Sequence, residues 1–548
     1  MSSDEEKKAQ VERLKAEGNA LHSKGDYAKA RSKYTEAIAL DGENAVLYAN
    51  RAAAYIALKQ YLDAGSDARR AVEIDPNYSK AWARLAKASY ELHVWPLSVK
   101  AWKKALETLP SADLTPVEEQ LKQQYEEGLK LAEAEQEKFE KKGSSLEQNN
   151  LRALPAEEDT PWMRALNMED VLTANNVLNT SAWAIMNAYK DFSEGVRYMK
   201  QIKKTDAGIQ GNPNALQSIV GGLLRDDRVF HMDCGDWLEK LQLQVQFELA
   251  AHQGWATAGP ETVKEEAVKR LEEKGWKAVR GALASTIRAW FLQAYFADRS
   301  GESRSLALQY YNNVVDLLEW GAKTWHDVPT EDRGYIFQKT FIRAIKRMRM
   351  SAYLAALKDA EEDTECNVED LIDMANQMVD ETTKNTPKDP SDLDGPIDKG
   401  AWYSFYVYPV ADAHATLGAV FLQQGLSAKQ ANDTEQAGMM LSTAAKFYNT
   451  AAGMYPPDDE NFPLFLKVAW EAAYHLGRPL DETLAMCKRI KDSIPGVRKI
   501  WEVSMADKLK THLLDVELFQ QRAYAGLLEK KYTKDTPSVR NRVDYGSF

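Results

Sequence analysis

The sequence predicts an all-α protein in which an N-terminal helical-repeat array precedes a larger helical region. Two observations predict it. Three 34-residue units fall into register from Val11, Ala45 and Ser79, and self-similarity at a fixed period of this length marks a repeat architecture. From about Pro161 to Arg540, apolar residues recur at three- and four-residue spacing and long alternating stretches are absent, the pattern of helices rather than strands.

Each unit carries a large apolar residue at its fourth position (Leu14, Tyr48, Trp82) and a small residue at its eighth (Gly18, Ala52, Ala86). The twentieth position is Ala30, Ala64 and Ser98, the twenty-fourth is Tyr34, Ala68 and Trp102, and the twenty-seventh is Ala37, Ala71 and Ala105. Small residues at these spacings let paired helices approach closely. Pro76 and Pro110 stand at the thirty-second position, where a helix must stop.

This pattern resembles the tetratricopeptide repeat over about residues 8 to 112, with Gly42 in the proline slot of the first unit and Ala68 small for its position. The resemblance implies a right-handed stack of helical hairpins whose first helices line a concave groove. Chaperone-binding members of the family carry a carboxylate clamp of Lys and Asn from the first unit, Asn from the second, and Lys and Arg from the third. Here these are Lys15 and Asn19 in LKAEGN, Asn50 in VLYANRAAAY, and Lys80 and Arg84 in YSKAWARLAKA. The segment is similar to the repeat domains of the heat-shock organising protein and of the small glutamine-rich co-chaperones. That resemblance implies a ligand that is the acidic C-terminal tail of heat-shock protein 90 or heat-shock protein 70 class chaperones. Ala53, Ile56, Lys87 and Tyr90 are expected to complete the peptide-binding surface, small and apolar between cations.

After Pro110, Val117, Leu121, Tyr125 and Leu129 lie four apart on one helical stripe, which predicts a helix capping the array. Residues 8–141 are thus expected to form the repeat domain with its cap, 142–160 a Ser/Asn/Pro-rich flexible linker, and 161–540 an all-helical region of degenerate repeats. In that region helices are expected near 180–203, 213–224, 235–252, 261–298, 303–321, 330–358, 366–382, 401–424, 433–454, 462–476, 480–492 and 505–530. It resembles no named family and is expected to hold a client or partner.

Composition narrows the functional classes. With 70 Lys+Arg against 82 Asp+Glu and a net charge of −12 across 548 residues, the chain lacks the basic excess of a nucleic-acid binder. Its three cysteines, Cys234, Cys366 and Cys487, are too few for a disulfide framework. An acidic N-terminal stretch and the lack of a long apolar run lead to the expectation of a cytoplasmic protein without a membrane segment.

Four features of the C-terminal region invite a chemical role and receive a plainer reading. His231 and Cys234 have no second ligand pair, so no metal site is expected. Lys339, Arg343 and Lys346 or Arg347 are expected to form a solvated basic face. Trp402, Tyr403, Phe405, Tyr406 and Tyr408 are expected to form a packing ridge, and the acidic run at 458–461 a turn. Phosphate-loop, serine-elbow and zinc-protease motifs are absent, so the expectation is a co-chaperone or adaptor with no catalytic residues and no cofactor. A scaffold for unrelated acidic peptides and an all-helical enzyme in the C-terminal part are the alternatives.

Overall fold

The computed structural model describes residues 3–110, 114–149, 159–206, 208–300, 303–359, 366–387, 398–503 and 508–538. Contact density divides the chain into two units, Met1–Arg152 with Glu248–Gly334, and Ala153–Phe247 with Tyr335–Phe548.

The helices in chain order begin with α1 (Ser3–Ser23), α2 (Tyr27–Leu40), α3 (Ala45–Ala57), α4 (Tyr61–Ile74), α5 (Ser79–Glu91), α6 (Trp95–Glu107) and α7 (Pro116–Asn149). They continue with α8 (Pro161–Leu166), α9 (Glu169–Ala174), α10 (Ala182–Met199), α11 (Ala215–Arg225), α12 (Trp237–Ala251), α13 (Pro260–Lys274), α14 (Trp276–Ser300), α15 (Arg304–Thr324) and α16 (Thr330–Arg333). The last are α17 (Lys339–Asp359), α18 (Val368–Asn385), α19 (Lys399–Trp402), α20 (Tyr408–Gln430), α21 (Thr434–Met454), α22 (Asn461–His475), α23 (Leu480–Trp501) and α24 (Lys508–Leu528). A short antiparallel hairpin, β1 (Lys203–Thr205) with β2 (Gly208–Gln210), joins α10 to α11.

In the first unit the repeat governs the backbone. Helices α3 and α5 open on Ala45 and Ser79, the first residues of the second and third repeats, and α2, α4 and α6 open 34 residues apart on Tyr27, Tyr61 and Trp95. The turn inside each hairpin passes through a left-handed residue at the same offset: Gly25 (φ 81°), Lys59 (φ 57°) and His93 (φ 57°). The small residues sit where helices meet: Ala30, Ala37, Ala52, Ala64, Ala71, Ala86, Ala105 and Ser98 are all fully buried. At Gly18 a Cβ would fall 2.6 Å from Cε1 of Tyr34, so only glycine lets that ring lie against α1.

Helix α7 caps the stack through Tyr125, whose ring lies 5.7 Å from that of Trp102. Gly128 accepts the same indole, since a Cβ there would lie 2.6 Å from Cε2 of Trp102. The expected stripe holds at Tyr125, whereas Val117 is exposed. Residues 142–149, expected to begin the linker, continue α7; pairs such as Lys138–Glu135 at 2.5 Å and Lys141–Glu137 at 2.5 Å favour the helix before them. The rest of the expected linker up to residue 158 lies outside the described residues.

The segment Glu248–Gly334, assigned by sequence to the C-terminal region, packs in the same unit as the repeats. A helix terminus accounts for this. Helix α13 begins at Gly259-Pro260 with no side chain of its own to cap it, and Asp63 of α4 accepts from the N–H groups of Glu261 (3.0 Å) and Thr262 (3.3 Å). A Cβ at Gly259 would fall 2.3 Å from the backbone of Asp63. Farther along, Gln309 donates to the carbonyl of Lys59 at 3.0 Å.

In the second unit most expected helices are found within a few residues. The segment expected as one helix over 261–298, in the first unit, is broken at Gly275 (φ 71°), and that over 330–358 at Gly334 (φ 100°), where glycine takes a conformation that ends a helix. Helix α23 instead runs through Pro495 to Trp501. Consecutive helices α20, α21, α22 and α23 pack as antiparallel neighbours around Tyr448, Leu466, Trp470 and Cys487, as a degenerate repeat array would. Among the described residues, no helix is long and apolar enough to cross a membrane.

The Asp63 carboxyl carries a pH prediction. Burial pushes it up to about 8, against the pull of the Thr262 N–H donor. The folded protein therefore holds this proton where the unfolded chain has released it, and its stability falls as pH rises from about 4 to about 8. Asp63→Asn keeps an acceptor for α13 and should flatten that decline in thermal unfolding of the intact chain. An unchanged pH dependence would contradict the assignment.

Candidate functional site: a donor-lined groove

Helices α1, α3 and α5 lie side by side, so equivalent positions of successive units line up across them. Asn19 stands at the ninth position of its unit and Asn50 and Arg84 at the sixth of theirs, and hydrogen bonds link all three. Asn50 Nδ2 donates to Asn19 Oδ1 at 3.2 Å, and Arg84 Nη1 donates to Asn50 Oδ1 at 3.4 Å. Tyr34, from α2, donates its hydroxyl to the same Asn19 oxygen at 2.8 Å. Lys15 and Lys80 stand one helical turn before Asn19 and Arg84, on the same faces. Lys15 is paired with Glu12 at 2.7 Å, and Lys80 is exposed, with no ion pair among the described residues.

Arg84 has an unusual environment for a partly buried guanidinium. Burial lowers its pKa from the ordinary arginine value, and what opposes this is a ring of tyrosine hydroxyls, Tyr78, Tyr125 and Tyr34. Its neighbours are thus hydroxyls and one amide. Arg51, on the neighbouring helix α3, is handled differently: its fork meets Asp67 at 2.7 and 2.8 Å and Thr35 at 3.0 Å. One cation is neutralised inside the fold, and the other has no carboxylate partner among the described residues.

No family model matches the chain. The small glutamine-rich tetratricopeptide repeat-containing protein 2 of Saccharomyces cerevisiae is 44% identical over 104 residues, 19% of this chain and 30% of that protein. The heat-shock protein cognate co-chaperone sgt12 of Aspergillus fumigatus is 40% identical over 96 residues, 18% of this chain and 28% of that protein. The Hsp70-Hsp90 organizing protein of Triticum aestivum is 38% identical over 101 residues, 18% of this chain and 17% of that protein. Each match is about as long as the three repeat units. The N-terminal stack is a tetratricopeptide-repeat domain. The chain spans less than a third of the length of these relatives.

Within the tetratricopeptide-repeat domain, the other sequence-derived groove residues are placed unevenly. Ala53 and Ile56 are partly buried on α3, with Ile56 packed against Tyr55, Ala64 and Ala88. Lys87 is exposed on α5, and Tyr90 is partly buried with its ring edge-on to Trp95 at 5.1 Å. Ala49, which occupies an equivalent groove position, is fully buried. Sequence reasoning missed the tyrosines around Arg84 and the hydroxyl of Tyr34, because the repeat pattern marks Tyr34 as a packing residue and Tyr125 as part of a cap.

The tempting features of the second unit are structural. His231 stacks on Trp162 at 4.7 Å, and among the described residues no group of three or more His, Cys, Asp or Glu could hold a metal ion. Of the expected solvated basic face, Lys339 is exposed, and the other cations turn inward instead. Arg343 is 1% exposed and donates to the carbonyl of Phe405 at 2.7 Å, Lys346 pairs with Glu381 at 3.2 Å, and Arg347 with Asp412 at 2.5 Å. These partners lie too far along the chain for helical periodicity to reveal them. Tyr408 packs fully buried, as a ridge residue should, and donates to Asp459 at 3.0 Å. In the acidic run, Asp458 accepts from Thr180 and Ser181 at the start of α10, while Asp459 holds Arg228 at 3.0 Å.

The contrast between these two arginines is measurable. Arg51→Met strips Asp67 of its buried partner and should cost about 3–5 kcal/mol. Arg84→Met removes a desolvated cation with no carboxylate and should leave stability within about 1 kcal/mol of wild type or raise it. Denaturant unfolding of both variants decides the matter, and an equal loss in the two would refute the distinction.

Proposed function

We propose that this chain is a cytoplasmic co-chaperone adaptor. Its tetratricopeptide-repeat domain holds the acidic C-terminal tail of a heat-shock protein 90 or heat-shock protein 70 class chaperone, and its helical C-terminal region carries a client or second factor. The observation that carries this reading is the linked row Asn19–Asn50–Arg84, a set of N–H donors joined by hydrogen bonds and without a carboxylate partner among the described residues. The names borne by the relatives, co-chaperones and an Hsp70-Hsp90 organizing protein, support the same class of ligand.

A chain-terminal Asp brings two carboxylates on one residue. Asn19 and Asn50 offer amide hydrogens to the main-chain carboxylate with Lys15 beside them, and Lys80 and Arg84 take the Asp side chain or groups upstream of it. Ala53, Ile56, Lys87 and Tyr90 line the path of the preceding residues. Charge-assisted bonds of roughly 1.5–3 kcal/mol each, less the ordering of a disordered tail, place a short peptide in the micromolar range. Docking of this strength is exchangeable, as an adaptor requires. The reading assigns no catalytic step, cofactor, nucleic acid or membrane to the chain.

Calorimetric titration of the intact chain with Glu-Glu-Val-Asp peptides, as free acid and as C-terminal amide, tests the proposal. Only the free acid should bind, at micromolar strength, and Lys80→Ala should weaken it about tenfold or more without loss of helicity. Equal binding of acid and amide would favour a scaffold for internal acidic peptides.

A further inference from the structure

Asn19 can bind a carboxylate only if its amide presents nitrogen, not oxygen, to the groove. A free asparagine side chain has no such preference, because rotation by half a turn about its last bond exchanges the two atoms at little cost. Here the orientation is imposed from behind. The ring of Tyr34, 1% exposed, lies against Gly18, and its hydroxyl reaches past α1 to donate to Asn19 Oδ1 at 2.8 Å. Asn50 Nδ2 donates to the same oxygen at 3.2 Å, and the Asn50 oxygen takes Arg84 Nη1 at 3.4 Å.

We propose that Tyr34 is a positioning residue of the groove, which fixes the Asn19 amide with its nitrogen outward and so restricts the site to ligands that accept hydrogen bonds. This rests on the proposed reading of the groove as a carboxylate site. Both lone pairs of the Asn19 oxygen are occupied from within, by Tyr34 and Asn50. What faces an incoming chain end is then the Asn19 NH2 group and the second hydrogen of Asn50, with no acceptor between them. A carboxylate, which only accepts, satisfies these donors. The NH2 of a terminal amide meets only other donors.

Burial raises the pKa of the Tyr34 hydroxyl, against the nearby Arg84 charge, so the donor keeps its proton. Gly18 acquires a second role, since any larger side chain would displace the ring that carries this hydroxyl. Without the hydroxyl, Asn19 could turn its oxygen to the groove, where it would repel a carboxylate.

The test is a double-mutant cycle in the intact chain, read by calorimetric titration with Glu-Glu-Val-Asp as free acid and as amide. Tyr34→Phe keeps the ring and its packing, and should weaken the free acid roughly 3- to 10-fold while narrowing the preference over the amide, with the unfolding midpoint unchanged. In an Asn19→Ala background the same change should alter affinity by less than about 2-fold, because the group it orients is gone. An equal loss in both backgrounds, or no loss in either, overturns the role of Tyr34. Wild-type protein that binds neither peptide overturns the carboxylate reading and this inference with it.

Discussion

Close approach of paired helices at the eighth position of each repeat is the constraint on which the site depends. With Gly18, Ala52 and Ala86 at these crossings, α1 meets α2, α3 meets α4 and α5 meets α6 at a distance that larger side chains would prevent. Because the unit recurs every 34 residues, each first helix is placed beside the next, and Asn19 and Asn50 come within hydrogen-bonding distance although 31 residues separate them. The same crossing admits Tyr34 beside Asn19. A packing rule therefore brings the polar groups together, and the Tyr34 hydroxyl and the Asn50 amide then hold the Asn19 oxygen.

Electrostatics divides the cations of the domain into two kinds. Arg51 and Asp67 neutralise one another where water is excluded, and removal of either leaves a charge that the fold cannot solvate. Arg84 is desolvated without such a partner among the described residues, near hydroxyls that tolerate its charge and do not cancel it. Lys80, exposed one turn away, adds attraction at little cost. These positive groups belong to a chain with a net charge of −12.

The sequence made the repeat register legible, because a 34-residue period is a long-range signal that many positions share: α3 and α5 begin on the very residues at which their units were placed, while α1 begins earlier, at Ser3. The clamp candidates came from the family resemblance that those units carry. In the second unit, helical periodicity alone located most helices, and the breaks at Gly275 and Gly334 were hidden inside continuous apolar patterns. The capping of α13 by Asp63 joins residues 198 apart and leaves no local trace. The inward turn of Arg343 and Arg347 was misread likewise, since a charge on a helix looks solvated until its partner, here 62 or 65 residues away, is seen. Tyr34 was legible as packing and not as chemistry, for its hydroxyl acts through Asn19.

The crystal structure of the tetratricopeptide-repeat groove, in the intact chain, with an acidic peptide ending in a free carboxylate tests the central claim most directly. The account predicts the terminal carboxylate about 3 Å from Nδ2 of both Asn19 and Asn50, with Lys15 alongside and an acidic group on Lys80 and Arg84. A peptide held by its internal side chains, with its terminus pointing away from Asn19 and Asn50, would contradict it.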